Sequence, residues 1–151
     1  MTLLYVVLLA AVAVALAPVA VKVADRAAGY PLAGIFIIAA ALLAREFPTL
    51  ARGEELSYSV TWVRDVIAPG VDVNLAFRGD ALGIFFTMLA LVIGAVVFCY
   101  SAAYLPKGKG NTSFYMLMTA FTLSILLLVL ANDVVVLFLA WELVSLASFM
   151  L

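Results

Sequence analysis

The chain has 151 residues, of which 68% are hydrophobic and 11% charged, and its formal net charge is −1. An ordinary soluble domain carries roughly 25% charged residues, and a chain this short has too little interior to hide so much apolar surface. The composition suits a protein solvated by lipid. With no basic cluster, no histidine and the single cysteine Cys99, the sequence speaks against nucleic acid as a partner, an intrachain disulfide, a structural zinc site and the usual haem or iron–sulfur ligand sets. No cofactor is expected.

Charge-free runs punctuate the chain. The first extends from Met1 to Val21. No Lys or Arg precedes Lys22, and the run exceeds a typical signal-peptide core, so it reads as a retained first helix. A polar stretch with Lys22, Asp25, Arg26 and Gly29 leads into the second run, Ala27 to Ala44. Pro31 falls in its first turn, where a missing N–H does little harm. The segment from Arg45 to Arg78 holds nine charged residues, Arg45, Glu46, Arg52, Glu54, Glu55, Arg64, Asp65, Asp72 and Arg78. Within it, residues 57–63 have β composition. Val71, Val73, Leu75 and Phe77 alternate with Asp72, Asn74 and Ala76, which is a strand period. Pro69-Gly70 supplies the turn, so a small β-hairpin is expected at the membrane surface, with Tyr58 and Trp62 near the headgroups.

The third run is Ala81 to Pro106, preceded by Asp80, and the fourth is Gly110 to Asn132. Asn132-Asp133 makes a tight connection, and the fifth run starts at Val134 and reaches Leu151 with no polar flank. A span needs about 20 residues, so the chain is expected to be the early part of a longer subunit. The fold class predicted is an all-α integral membrane protein of about five transmembrane helices, with a short extracytoplasmic β-hairpin between helices 2 and 3. Residues 1–44 hold helices 1 and 2, residues 45–80 the loop and hairpin, and residues 81–151 helices 3 to 5. Lys22 and Arg26, and again Lys107 and Lys109, fall on one side of this alternating topology. Positive loops face the cytoplasm, which places the N-terminus, the hairpin and Asn132-Asp133 outside.

Glu142 is the outlier. It is the ninth residue of the fifth run, about 12 Å below the helix start at 1.5 Å per residue, and near the middle of a hydrocarbon core about 30 Å thick. An acidic residue there costs roughly 2.5–3.5 kcal/mol on insertion scales. It is therefore expected to face the bundle interior, a water-filled cavity or a basic partner. Phe138, Glu142, Ser145 and Phe149 recur at helical spacing, with Ser148 on the neighbouring stripe, so Ser145 is a candidate hydrogen-bond partner of the carboxylate. Desolvation and a nearby cation pull a carboxyl group in opposite directions, and a group between them can take and give a proton. The competing reading makes Glu142 a structural residue bonded to another helix. Asp80 and Asp133 read as helix caps, Trp141 as packing.

Residues 131–151, with Trp141-Glu142 at their centre, resemble the fifth helix of the antiporter-like membrane subunits of respiratory complex I and of Mrp-type cation/proton antiporters. Phe77-Arg-Gly-Asp-Ala-Leu-Gly83, Tyr100-Ser-Ala-Ala-Tyr-Leu105 and the hairpin with Trp62 agree, and the resemblance covers Trp62 to Leu151 best. The stretch Glu142-Leu-Val-Ser-Leu-Ala-Ser-Phe149 looks most like the A-type subunit of the Mrp antiporter. One departure is Gly79, where the family usually has a larger apolar residue. The resemblance implies that Glu142 pairs with a lysine two helices later, beyond Leu151, and helps gate proton movement through a half-channel. It implies a proton-translocating, non-enzymatic subunit of a multisubunit sodium/proton antiporter in the cell membrane, with protons and Na+ as cargo and other membrane subunits as partners. The rival readings are the proton-pumping antiporter-like subunit of complex I and a non-transporting assembly subunit.

Overall fold

The computed structural model describes residues 1–63, 73–106 and 111–151, with the side chains at 61–63 and 73–74 outside that description. Lys107, Lys109 and the Pro69-Gly70 turn therefore lie outside the described residues, as does the side chain of Trp62. The chain folds as α1 (Thr2–Ala24), one 3-10 turn (Asp25–Ala28), α2 (Gly29–Ala44), the short α3 (Phe47–Ala51), β1 (Leu56–Val63), β2 (Val73–Gly79), α4 (Ala81–Tyr104), α5 (Asn111–Leu130) and α6 (Val134–Met150). The five apolar runs thus become α1, α2, α4, α5 and α6. The addition to the expected elements is α3, a single turn with Pro48 near its N-terminus.

Among the described residues, three helical stretches are long and apolar enough to cross a membrane: Thr2–Ala51, Ala81–Tyr104 and Asn111–Leu130, with Val134–Met150 a shorter apolar helix. The first stretch doubles back on itself. Thr2 Oγ1 at the start of α1 donates to Glu46 Oε1 just beyond α2, at 2.5 Å, so α1 and α2 form an antiparallel pair and supply two crossings. The protein is a multi-pass, mostly helical membrane protein with a small antiparallel hairpin.

α1, α2, α4 and α5 close a ring: α1 packs on α2, α2 on α4, α4 on α5, and α5 back on α1. α6 stands outside that ring, against α5. Between helices in a bilayer there is no hydrophobic drive, because lipid tails are as apolar as leucine; close van der Waals contact and internal hydrogen bonds do the holding. Small residues make that contact here. α1 buries Ala10, Ala13 and Ala17 between Leu3, Val6 and Val21, and α2 buries Gly29, Ala33, Ala39 and Ala40 around Phe36. An aromatic column ties three helices together: Phe36 of α2 stacks on Phe98 of α4 at 5.2 Å, and Phe98 faces Tyr115 of α5 at 6.2 Å.

The two ends of the bundle are built differently. At one end, Asp25 turns the chain with φ +48°, a left-handed value uncommon for a residue with a side chain. Its carboxylate accepts from Asn111 Nδ2 at 2.8 Å, and the Tyr115 hydroxyl donates to the Arg26 carbonyl at 2.7 Å. At the other end, β1 and β2 pair antiparallel in a register that sets Leu56 opposite Gly79 and Tyr58 opposite Phe77. Glu55, just before β1, takes two hydrogen bonds from the Arg78 guanidinium, at 2.8 and 2.7 Å. Tyr58, expected at the headgroups, is half-buried and packs on the bundle core. The two predicted acidic caps form. Asp80 Oδ1 accepts from Gly83 N at 2.7 Å at the start of α4, and Asp133 Oδ1 from Val135 N at 2.8 Å at the start of α6.

The departure at Gly79 has a steric reason. A Cβ there would lie 2.6 Å from Ile84 Cδ1 and 3.2 Å from Leu3 Cδ2. Ile84 and Leu3, both buried, occupy the space a larger residue would fill.

Candidate functional site

Four buried hydroxyl side chains are spent on their own helices. Thr87 donates to Gly83 O, Thr119 to Tyr115 O, Thr122 to Met118 O and Ser124 to Ala120 O, at 2.7 to 2.9 Å. Each returns its hydroxyl to the carbonyl one turn back, the usual way a membrane helix carries Ser or Thr without exposing a polar group to hydrocarbon. Among the described residues no buried side-chain nitrogen or oxygen lacks a partner. The ring interior, as far as these residues describe it, therefore offers no unsatisfied polar group to a proton or to water.

Glu142 sits elsewhere. α6 buries only Val136, Ala140 and Ala147, the stripe that lies on α5. At about 100° per residue, Glu142 is turned some 140° away from that stripe. Phe138, Ser145 and Phe149 share its face, as their spacing predicts; all four side chains are exposed, and Ser148 lies exposed beside them. The helix and the shared face are thus as expected, whereas the face points out of this bundle rather than into it. Glu142 lines a shallow groove of about 360 Å³ with Val134, Leu137, Phe138 and Trp141. Among the described residues, none hydrogen-bonds or ion-pairs with its carboxylate, and no group of three or more His, Cys, Asp or Glu is placed to hold a metal ion.

Such a face cannot meet lipid without the insertion penalty of roughly 2.5–3.5 kcal/mol for an acid at mid-span. The face holds a carboxylate with a hydroxyl one turn away, beside the exposed side chains of Phe138, Trp141 and Phe149.

Gly29 and Tyr115, to which the sequence alone assigns no role, order the opposite end of the bundle. A Cβ at Gly29 would meet Phe98 O at 2.2 Å, Tyr115 OH at 2.8 Å and Ala102 Cβ at 3.0 Å. The legible signal is a glycine opening an apolar run just ahead of Pro31.

Comparisons with known proteins bear on the same elements. Residues 62–115 match the family model described as "NADH-Ubiquinone oxidoreductase (complex I), chain 5 N-terminus". A protein of Staphylococcus haemolyticus (strain JCSC1435) carrying the name antiporter subunit mnhA2 is 32% identical over 132 residues, which is 87% of this chain and 16% of that protein. Its namesake in Staphylococcus aureus (strain JH9) is 32% identical over 125 residues, 82% of this chain and 15% of that protein. Among solved structures, a chain in the structure of the Mrp complex from Dietzia sp. DQ12-45-1b superposes with a TM-score of 0.83 at 39% identity, covering 100% of this chain and 16% of that one. The present chain thus spans about a sixth of the length of the relatives it matches.

Proposed function

Because this chain belongs to the antiporter-like membrane-subunit family and matches the N-terminal portion of the A-type Mrp subunit, we propose that it serves a multisubunit sodium/proton antiporter in which Glu142 relays protons. The observation that carries the reading is the placement of that carboxylate. It is on the outermost helix, nine residues in, and it faces away from a ring whose described polar groups are internally satisfied. Among the described residues, a proton route through the ring interior meets no unsatisfied buried polar group. A route along the outer face of α6 has Glu142, with Ser145 to orient the carboxylate or a water. The route becomes complete when another membrane segment or subunit covers that face and brings a cation or hydroxyl to the acid. One charge moved across 100 mV gains about 2.3 kcal/mol, enough to drive protonation and release in sequence.

In this reading the N-terminus, the hairpin and Asn132-Asp133 face outward, and Lys22 and Arg26 face the cytoplasm, following the positive-inside rule. Sodium is the proposed coupling cation. The test is Glu142→Gln in the assembled complex, with Na+/H+ antiport followed in everted vesicles. The expected outcome is loss of antiport with assembly intact; normal antiport would refute the relay.

The match of residues 62–115 to a complex I model supports a second reading, a proton-pumping subunit of a quinone reductase. Flavin and iron–sulfur proteins copurifying with the chain would establish it. The 39% identity to a chain of an Mrp complex favours the antiporter. A purely scaffolding role differs from both: it predicts that Glu142→Ala fails to assemble.

A further inference from the structure

We infer that strand β2 is the positioning element for Glu142, holding α6 in register and azimuth through the backbone at residues 131–132. α6 needs such a hold. Among the described residues its only broad contact is with α5, and it buries Val136, Ala140 and Ala147. Two of those three are alanines, and no hydrophobic drive presses the helix onto its neighbour in lipid. A slip of one residue along α5 would translate Glu142 by about 1.5 Å and turn it by about 100°, carrying the carboxylate off its face.

The strand reaches α6 directly. Phe77 pairs with Ala131 in an isolated antiparallel bridge, and the Asn132 N–H donates to the Ala76 carbonyl at 2.9 Å. The next residue, Asp133, caps α6, so strand, bridge and helix start are continuous. β2 is itself fixed to the ring. Phe77 is only 4% exposed, within the core. Gly79 lets the strand lie against Leu3 of α1 and Ile84 of α4, and Asp80 at its end caps α4. The strand therefore transmits the position of α1 and α4 to a helix that neither of them packs against broadly.

The functional meaning of this hold rests on the relay reading of Glu142; the hold itself does not. The test therefore reads Glu142 directly, by mass-spectrometric detection of carbodiimide modification in the assembled complex, alongside antiport. Asn132→Pro removes the donor to Ala76. The expected result is an assembled complex whose Glu142 labels at a severalfold altered rate and whose antiport falls about tenfold or more, as misplacement of a reacting group by about 1 Å can produce. Bridged partners in an antiparallel pair have Cα atoms about 4.5–5.5 Å apart, within disulfide range. Phe77→Cys with Ala131→Cys, in a Cys99→Ser background, should therefore cross-link. Added to Asn132→Pro, the cross-link should restore native labelling. The inference is overturned if Asn132→Pro assembles with native labelling. It is also overturned if that variant fails to assemble and the cross-link does not recover it. Should Glu142→Gln antiport normally, the relay fails alone, and the labelling results still decide the positioning role.

Discussion

Gly29→Ala is the sharpest single probe of how the bundle is held. The added methyl would stand 2.2 Å from the Phe98 carbonyl oxygen, a backbone atom that cannot rotate aside, and 2.8 Å from the Tyr115 hydroxyl. Relief requires α2 to move off α4 and α5. Overpacking of this kind costs typically about 1–3 kcal/mol, and a backbone obstacle puts the site at the upper end. The same movement stretches the 2.7 Å hydrogen bond from Tyr115 to the Arg26 carbonyl, worth about 1 kcal/mol. The expected destabilisation is therefore about 3–4 kcal/mol. The assay is thermal denaturation of the purified complex in mild detergent, followed by the loss of soluble, assembled protein. Gly34→Ala is the internal control. It lies five residues further along the same helix, and its added methyl meets nothing within 4 Å. Helix propensity makes that change neutral to stabilising by up to about 1 kcal/mol. If the two variants denatured together, close approach at Gly29 would not be holding α2 to its neighbours.

Two further outcomes follow from the hairpin and from α6. The Arg78 guanidinium, through two hydrogen bonds and its charge, holds the Glu55 carboxyl below its ordinary value of 4.5. A carboxylate depressed by folding contributes stability above its unfolded pKa and loses it as pH falls through the folded one. Protease sensitivity of the hairpin should thus rise only in acid, and Arg78→Ala should remove that acid dependence. Both groups are solvent-exposed, so the effect should be modest and weakened by salt. Ala140→Leu should push α6 off α5 by overpacking a side chain that is 1% exposed, at about 1–3 kcal/mol. Cysteine cross-linking between α5 and α6 would register the separation, and unchanged cross-linking would contradict the assigned contact face.

The difference between the two faces of α6 explains what is legible in the sequence and what is not. Charge-free runs separated by polar residues mark all five apolar helices, because lipid tolerates few interruptions in a span. Strand alternation around Leu75 and Phe77 marks the hairpin, because one face of β2 lies on the core. Periodicity also groups Phe138, Glu142, Ser145 and Phe149 correctly. It does not say which way the group faces. In a soluble helix the apolar side points inward, but α6 is apolar almost all round, so hydrophobic asymmetry carries no direction. The usable signal is size. Ala140 and Ala147 let the α6 backbone approach α5, whereas Phe138, Trp141 and Phe149 would hold it away. Read by size instead of polarity, the sequence turns Glu142 away from its own bundle. The expense of an acid at mid-span then argues for a partner surface over α6 more strongly than an inward-facing carboxylate could. A carboxylate inside the ring could have found its hydrogen bonds within this chain; one on the outer face must find them in whatever covers it.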